Sequence, residues 1–127
     1  MRKVKVAATQ MSCSRNINEN IAKAESLVRK AAAEGAQIIL LQELFETPYF
    51  CQKEKPIYYQ YAAEMEQNKA VKHFKQIAKE LAVVLPISFY EKKNNARYNS
   101  VAIIDADGKI LGKYRKSHIP DGPGYEE

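Results

Sequence analysis

Glu43 and Lys116 are the residues of this sequence best placed to do chemistry. Glu43 follows the run Gln37-Ile38-Ile39-Leu40-Leu41 by two residues. In an open α/β sheet the ligand crevice lies at the carboxyl ends of the strands. A carboxylate there can serve as general base, worth about 10²–10⁴ in rate; it can equally be a helix cap or a surface acid. Lys116 lies in Gly112-Lys113-Tyr114-Arg115-Lys116-Ser117-His118-Ile119-Pro120. An ammonium beside a carboxylate can hold an oxyanion, and losing one such donor costs on the order of 3 kcal/mol. A lysine in so basic a stretch can also be simply solvated.

Other reactive side chains are sparse. Cys13 and Cys51 are far apart, which fits a reduced compartment better than a disulfide framework, and both read as inert thiols. With His73 and His118 they make no metal-ligand spacing, and no Gly-rich phosphate loop is present. No metal and no cofactor is expected.

The elements that must carry Glu43 and Lys116 can be read from periodicity. Alternation of Val4, Val6 and Ala8 predicts a first strand over 3–10. A helix follows, capped by Asn16 or Asn18, with Ile21, Ala24, Val28, Ala31 and Ala32 on one face and Gly35 as its stop. The apolar run 37–41 reads as a parallel strand buried on both faces. Residues 43–67, broken by Pro48 and Pro56 and crowded with Tyr49, Phe50, Tyr58, Tyr59 and Tyr61, are either a pocket-lining loop or a short helix packed on the core. A second helix spans Lys69 to Leu81 with a stripe of Val71, Phe74, Ile77, Ala78 and Leu81. A strand over 82–88 comes next, with Pro86 expected at a bulge or strand edge. Strands 97–104 and 109–114 form an antiparallel hairpin around Asp105-Ala106-Asp107-Gly108. The order is β-α-β-α-β and then a hairpin, an α/β class, with right-handed crossovers laying both helices on one sheet.

A length of 127 residues suffices for one domain with a real core. The apolar runs are too short to span a bilayer, so no membrane partner is expected. The N-terminus enters a strand pattern directly, which makes a cytoplasmic location the default expectation. The net charge of +5 could suit an anionic partner, but the lysines are spread over helix faces that would meet water, so no nucleic-acid partner is expected.

Longer stretches carry a family resemblance. Ala8-Thr9-Gln10, Gln42-Glu43-Leu44-Phe45, Tyr98-Asn99-Ser100 and residues 112–120 occur in the order found in the nitrilase superfamily of carbon–nitrogen hydrolases, and the whole chain resembles it. Glu43-Leu44-Phe45-Glu46-Thr47-Pro48-Tyr49-Phe50-Cys51-Gln52 and Ser117-His118-Ile119-Pro120-Asp121-Gly122-Pro123-Gly124-Tyr125 are most similar to the branch that cleaves N-carbamoylputrescine. The resemblance implies half of an αββα sandwich and metal-free hydrolysis by a Glu-Lys-Cys triad. It makes Glu43 the base, Lys116 the holder of the tetrahedral intermediate, and Glu127 (Glu126 in the other register) a second glutamate that positions substrate or water. Tyr49 and His118 match positions lining the substrate pocket. The nucleophile of the family lies in a Cys-Trp-Asp elbow downstream, and this sequence has no tryptophan and no cysteine after Cys51.

Residues 1–127 therefore read as the N-terminal part of a single carbon–nitrogen hydrolase domain, inactive alone, with one sheet face bare. The parent enzyme is expected to act on a small molecule and to form a homo-oligomer. Two rival readings stand beside this one: a sibling hydrolase of N-carbamoyl-β-alanine or an ω-amide, and a non-catalytic fragment that pairs with a longer enzyme.

Overall fold

The computed structural model describes residues 1–53, 55–120 and 122. Its elements are β1 (Val6–Ala8), α1 (Ile17–Ala33), β2 (Ile38–Leu40), α2 (Lys69–Leu81), β3 (Leu85–Lys93), β4 (Ala96–Ile104) and β5 (Ile110–Arg115). Short 3₁₀ turns at Phe50–Lys53 and Pro56–Tyr61 occupy the segment between β2 and α2. β1 and β2 pair in parallel, and β3, β4 and β5 form an antiparallel meander. The two groups join through one parallel bridge, Ile38 to Val84.

Local chemistry explains the helices. The Asn16 side chain accepts hydrogen bonds from the amides of Asn18 and Glu19, so Asn16 is the cap of α1. Gly35, at φ +88°, takes the left-handed turn that ends the helix. Asn68 caps α2 by accepting from the amide of Val71. Its far end closes on Ala82 in the left-handed region, φ 52°, which lets the chain enter the sheet without a longer loop.

Both helices lie against the same face of the sheet. Val28 and Ala24 of α1, Phe74, Ile77 and Ala78 of α2, and Ile39, Leu85, Ile87, Phe89, Ala102 and Ile104 of the strands form one buried cluster. Phe45 enters the cluster edge-on to Phe74 at 5.7 Å. The opposite sheet face is open over β1, β2 and β5, whereas along β3 Leu44, Phe50 and Cys51 cover Tyr90. Ile38 and Leu40 of β2 are 37% and 51% exposed, so this strand is covered on one side and not on both. Only the helix layer packs on it among the described residues. Val6 and Tyr114 are likewise exposed.

β3 runs to Lys93, five residues beyond the expected limit at Ser88, and pairs with β4 in unbroken register. Pro86 sits inside it without a bulge. The main-chain groups of Val84 bond to Gln37 and Ile39 of the β2 segment. Strand alternation then turns the Pro86 nitrogen to that same edge, where its missing donor ends the β2 ladder after one bridge. Farther along this edge Ala63 takes over, its amide donating to the Tyr90 carbonyl and its carbonyl accepting from Lys92.

The extension of β3 carries Glu91 into the interior, where it is 1% exposed. Arg115 grips it with two bonds of 2.9 Å, Ser100 Oγ donates at 2.7 Å, and Lys113 Nζ also donates. Burial pushes this carboxyl up, but the bonds from Arg115, Lys113 and Ser100 outweigh burial and hold it at about 2. The folded value lies below the unfolded one of about 4.3, so the contribution of Glu91 to stability is full above that pH and is lost as pH falls towards 2. In denaturant titrations from pH 7 to pH 2, the stability gap between wild type and Glu91→Gln is expected to shrink across that window. A gap that stays constant would remove the ionised clamp.

Candidate active site

After β2 the chain turns sharply. Leu44 adopts φ 53°, a left-handed conformation that costs a non-glycine residue about 1–3 kcal/mol and must be held by its surroundings. Two observations supply the hold. The Leu44 amide donates to Ser88 Oγ at 2.9 Å, and the Leu44 side chain is buried with Phe50, Cys51 and Tyr90. The turn sends Leu44 and Phe45 inward to separate clusters and leaves Glu43 at the rim of a cleft.

That cleft has a volume of about 340 Å³ and is lined by Leu40, Leu41, Glu43, Ser88, Val101 and Lys116, with Asn99, Ser100 and Tyr114 completing it. It opens on the sheet face away from the helices. Ser88 pairs with Val101, and Val101 with Tyr114, so these three side chains stand together on that face. Lys116 directly follows β5, and its amide donates to the Asn99 carbonyl at 2.8 Å, continuing the β4–β5 ladder by one bond.

Lys116 Nζ donates to Glu43 Oε1 at 3.1 Å across 73 residues of sequence. Asn99 Nδ2 donates to the same oxygen. Two donors on Oε1 keep the carboxylate in one orientation and leave Oε2 as the oxygen available to take a proton from a reactant. An anion-forming carbonyl bound beside Lys116 would meet an ammonium already fixed in place.

Of the residues singled out from sequence, Glu43 and Lys116 come together here. Tyr49 lines a different hollow, with Arg15, Pro48, Phe50 and Tyr58. His118 is exposed and is not among the cleft residues. Glu127 and its register alternative Glu126 lie outside the described residues. Asn99 and Ser88 join the site although sequence reasoning gave them no role. Asn99 stood inside a motif, but nothing in the sequence indicated that its amide would reach Glu43.

The two thiols are packed away from the cleft. Cys13 Sγ donates to the Phe45 carbonyl at 3.2 Å, and burial pushes its pKa up against the opposing pull of Lys23. Cys51 is fully buried in the Leu44–Phe50–Tyr90 cluster. Among the described residues no group of three or more His, Cys, Asp or Glu side chains could hold a metal ion, and no helix is long and apolar enough to cross a membrane. Glu46, beside the site in sequence, is absorbed structurally. Burial raises its pKa, opposed by hydrogen bonds from Asn68 and the Ala70 amide.

Comparison with known proteins gives the arrangement a context. A family described as carbon-nitrogen hydrolase matches residues 5–127. N-carbamoylputrescine amidase of Oryza sativa subsp. japonica is 56% identical over 98% of this chain and 42% of its own length. A citrullinase of Francisella tularensis is 49% identical over 100% of this chain and 44% of its own. The crystal structure of a carbon-nitrogen hydrolase from Helicobacter pylori superposes with TM-score 0.86 at 29% identity, covering 94% of this chain and 41% of that one. The chain thus spans less than half the length of the relatives it matches.

Replacing Ser88 by Ala leaves the buried Leu44 amide without its acceptor, which is expected to cost about 1–3 kcal/mol in urea unfolding. An unchanged midpoint would show that the Leu44 turn does not depend on this bond.

Proposed function

This chain belongs to the carbon–nitrogen hydrolase family, and from that premise we propose that the protein containing it hydrolyses N-carbamoylputrescine to putrescine, ammonia and carbon dioxide. The observation that carries the reading is the Glu43–Lys116 contact of 3.1 Å on the rim of an open cleft. The 56% identity to an enzyme named for this substrate supports the choice among ureido compounds.

A urea carbonyl is a poor electrophile, so attack requires a thiolate. With Cys13 and Cys51 packed elsewhere, the thiol comes from sequence outside these residues. Glu43 takes its proton, and the sulfur attacks the ureido carbon. Lys116 stabilises the charge that forms on oxygen. Collapse expels ammonia, which takes the proton from Glu43, and leaves a carbamoyl group on sulfur. Glu43 then draws a proton from water. The water oxygen displaces the sulfur, which takes back the proton from Glu43, and the released carbamic acid loses carbon dioxide to give putrescine. By family resemblance Glu127, Tyr49 and His118 would position substrate or water in the complete protein, although Tyr49 and His118 stand outside the cleft lined by Glu43 and Lys116. The complete protein is assigned to the cytoplasm, to polyamine formation and to a homo-oligomeric assembly.

A second reading has specific support in the 49% identity to a citrullinase. Citrulline also ends in a ureido group, but its far end carries a carboxylate beside the ammonium. Ammonia release by the full-length protein, assayed on both compounds, separates the two. N-carbamoylputrescine is expected to be preferred by about 10² or more in kcat/KM, because a site built for one charge pattern rejects the other. A preference for citrulline would replace the substrate, and release from neither would remove the ureido reading. Glu43→Gln is expected to lower kcat about 10²–10⁴-fold, and Lys116→Met about 10²–10³-fold.

A further inference from the structure

β5 contains an irregularity that bears on Lys116. Ile104 pairs with Ile110, but Ile103 pairs with Gly112, so Leu111 is an extra residue. Such a bulge changes which face the following residues occupy. Ile110 packs towards the helix-side core. Strict alternation from Ile110 would send residues 112, 114 and 116 to that same side. The bulge reverses this. Lys113 and Arg115 turn to the helix side, and Tyr114 and Lys116 turn to the cleft.

The stretch Lys113-Tyr114-Arg115-Lys116 holds three cations, and a slip of one residue would exchange the side chains offered to the two faces. Glu91 distinguishes the two registers. Its carboxylate is buried on the helix side and binds Lys113 and Arg115 together, with Ser100 Oγ on the same group. Arg115 is held further by the Tyr98 ring, 3.8 Å from the guanidinium carbon. In the slipped register Lys116 and Tyr114 would face Glu91, and this fork of bonds could not form.

We infer that Glu91 is a positioning residue for the reaction: by clamping Lys113 and Arg115 on the helix side of β5 beyond its bulge, it keeps Lys116 directed at Glu43. The inference rests on the reading that Lys116 serves hydrolysis. Glu91 itself touches neither Glu43 nor the cleft.

The test uses the full-length protein carrying this chain, with Glu91→Gln, Arg115→Met and Lys116→Met assayed on N-carbamoylputrescine. Displacing a catalytic group by an ångström costs up to about 10²-fold in rate, so soluble Glu91→Gln should lose about 10–100-fold in kcat per folded enzyme with KM changed less than about threefold. Glu91→Asp, which keeps the charge, should recover part of that loss. If Glu91→Gln does not fold, Arg115→Met, at a partly exposed position, should show the same kcat-selective loss. A structural role alone would lower the unfolding midpoint and yield but leave kcat per folded enzyme unchanged. Wild-type kcat in folded Glu91→Gln or Arg115→Met, beside an inactive Lys116→Met, would overturn the positioning role and leave the functional reading intact. Wild-type activity in Lys116→Met would overturn the functional reading itself.

Discussion

The organisation of this chain depends on bringing a carboxylate and an ammonium, 73 residues apart in sequence, within 3.1 Å of each other. Neither residue can do this locally. Glu43 is delivered by the end of β2 and the left-handed turn at Leu44, and Lys116 by the end of β5. The layers between them set the distance. α1 and α2 seat β2 beside β3 through one shared core, and two antiparallel pairings carry the position across to β5. A packed interior transmits displacement rather than absorbing it, so the helix-side core is part of the geometry of a cleft that it meets through Leu41.

The polar groups divide by sheet face. On the helix side, Glu91 and Glu46 are buried and hydrogen-bonded, Glu91 to Ser100, Lys113 and Arg115 of the strands and Glu46 to Asn68 and the Ala70 amide at the start of α2. On the cleft side, Glu43 is about half exposed and carries its two donors on a single oxygen. A carboxylate meant to exchange protons must keep some access to the reactant, whereas one meant to hold a strand must not. The environments of Glu43 and Glu91 follow that division.

Much of this was legible in the sequence where the signal is local. The stripe of Val71, Phe74, Ile77, Ala78 and Leu81 marks α2, while its cap Asn68 has no part in that reading. The turn at Gly108 and the pairing of β4 with β5 follow from spacing. Glu43 and Lys116 could be chosen because each follows an apolar or strand-like run, and family likeness singled them out from other acids and lysines. Other features depend on distant partners. Glu91-Lys92-Lys93 reads as the polar end of a strand, and the burial of Glu91 becomes affordable only when Lys113 and Arg115 arrive from β5. The apolar run of β2 suggested cover on both sides, but a sequence does not state which neighbours a face will have. The Leu111 bulge has one local mark, the isolated Gly112 inside a strand pattern, which signals a bulge but not which face the residues after it will take.

Pro86 also sets how far the two groups of strands are joined. Edge-to-edge hydrogen bonding behaves like a zipper that continues until something stops it, and here the stop is an imino acid at the second position past the junction of β2 and β3. An ordinary residue there would offer one more amide, to the Ile39 carbonyl, and the pairing of β2 with β3 could run on past its single bridge. The seam between the parallel pair and the antiparallel meander is therefore thin in main-chain bonds, and the shared side-chain core behind it carries the join.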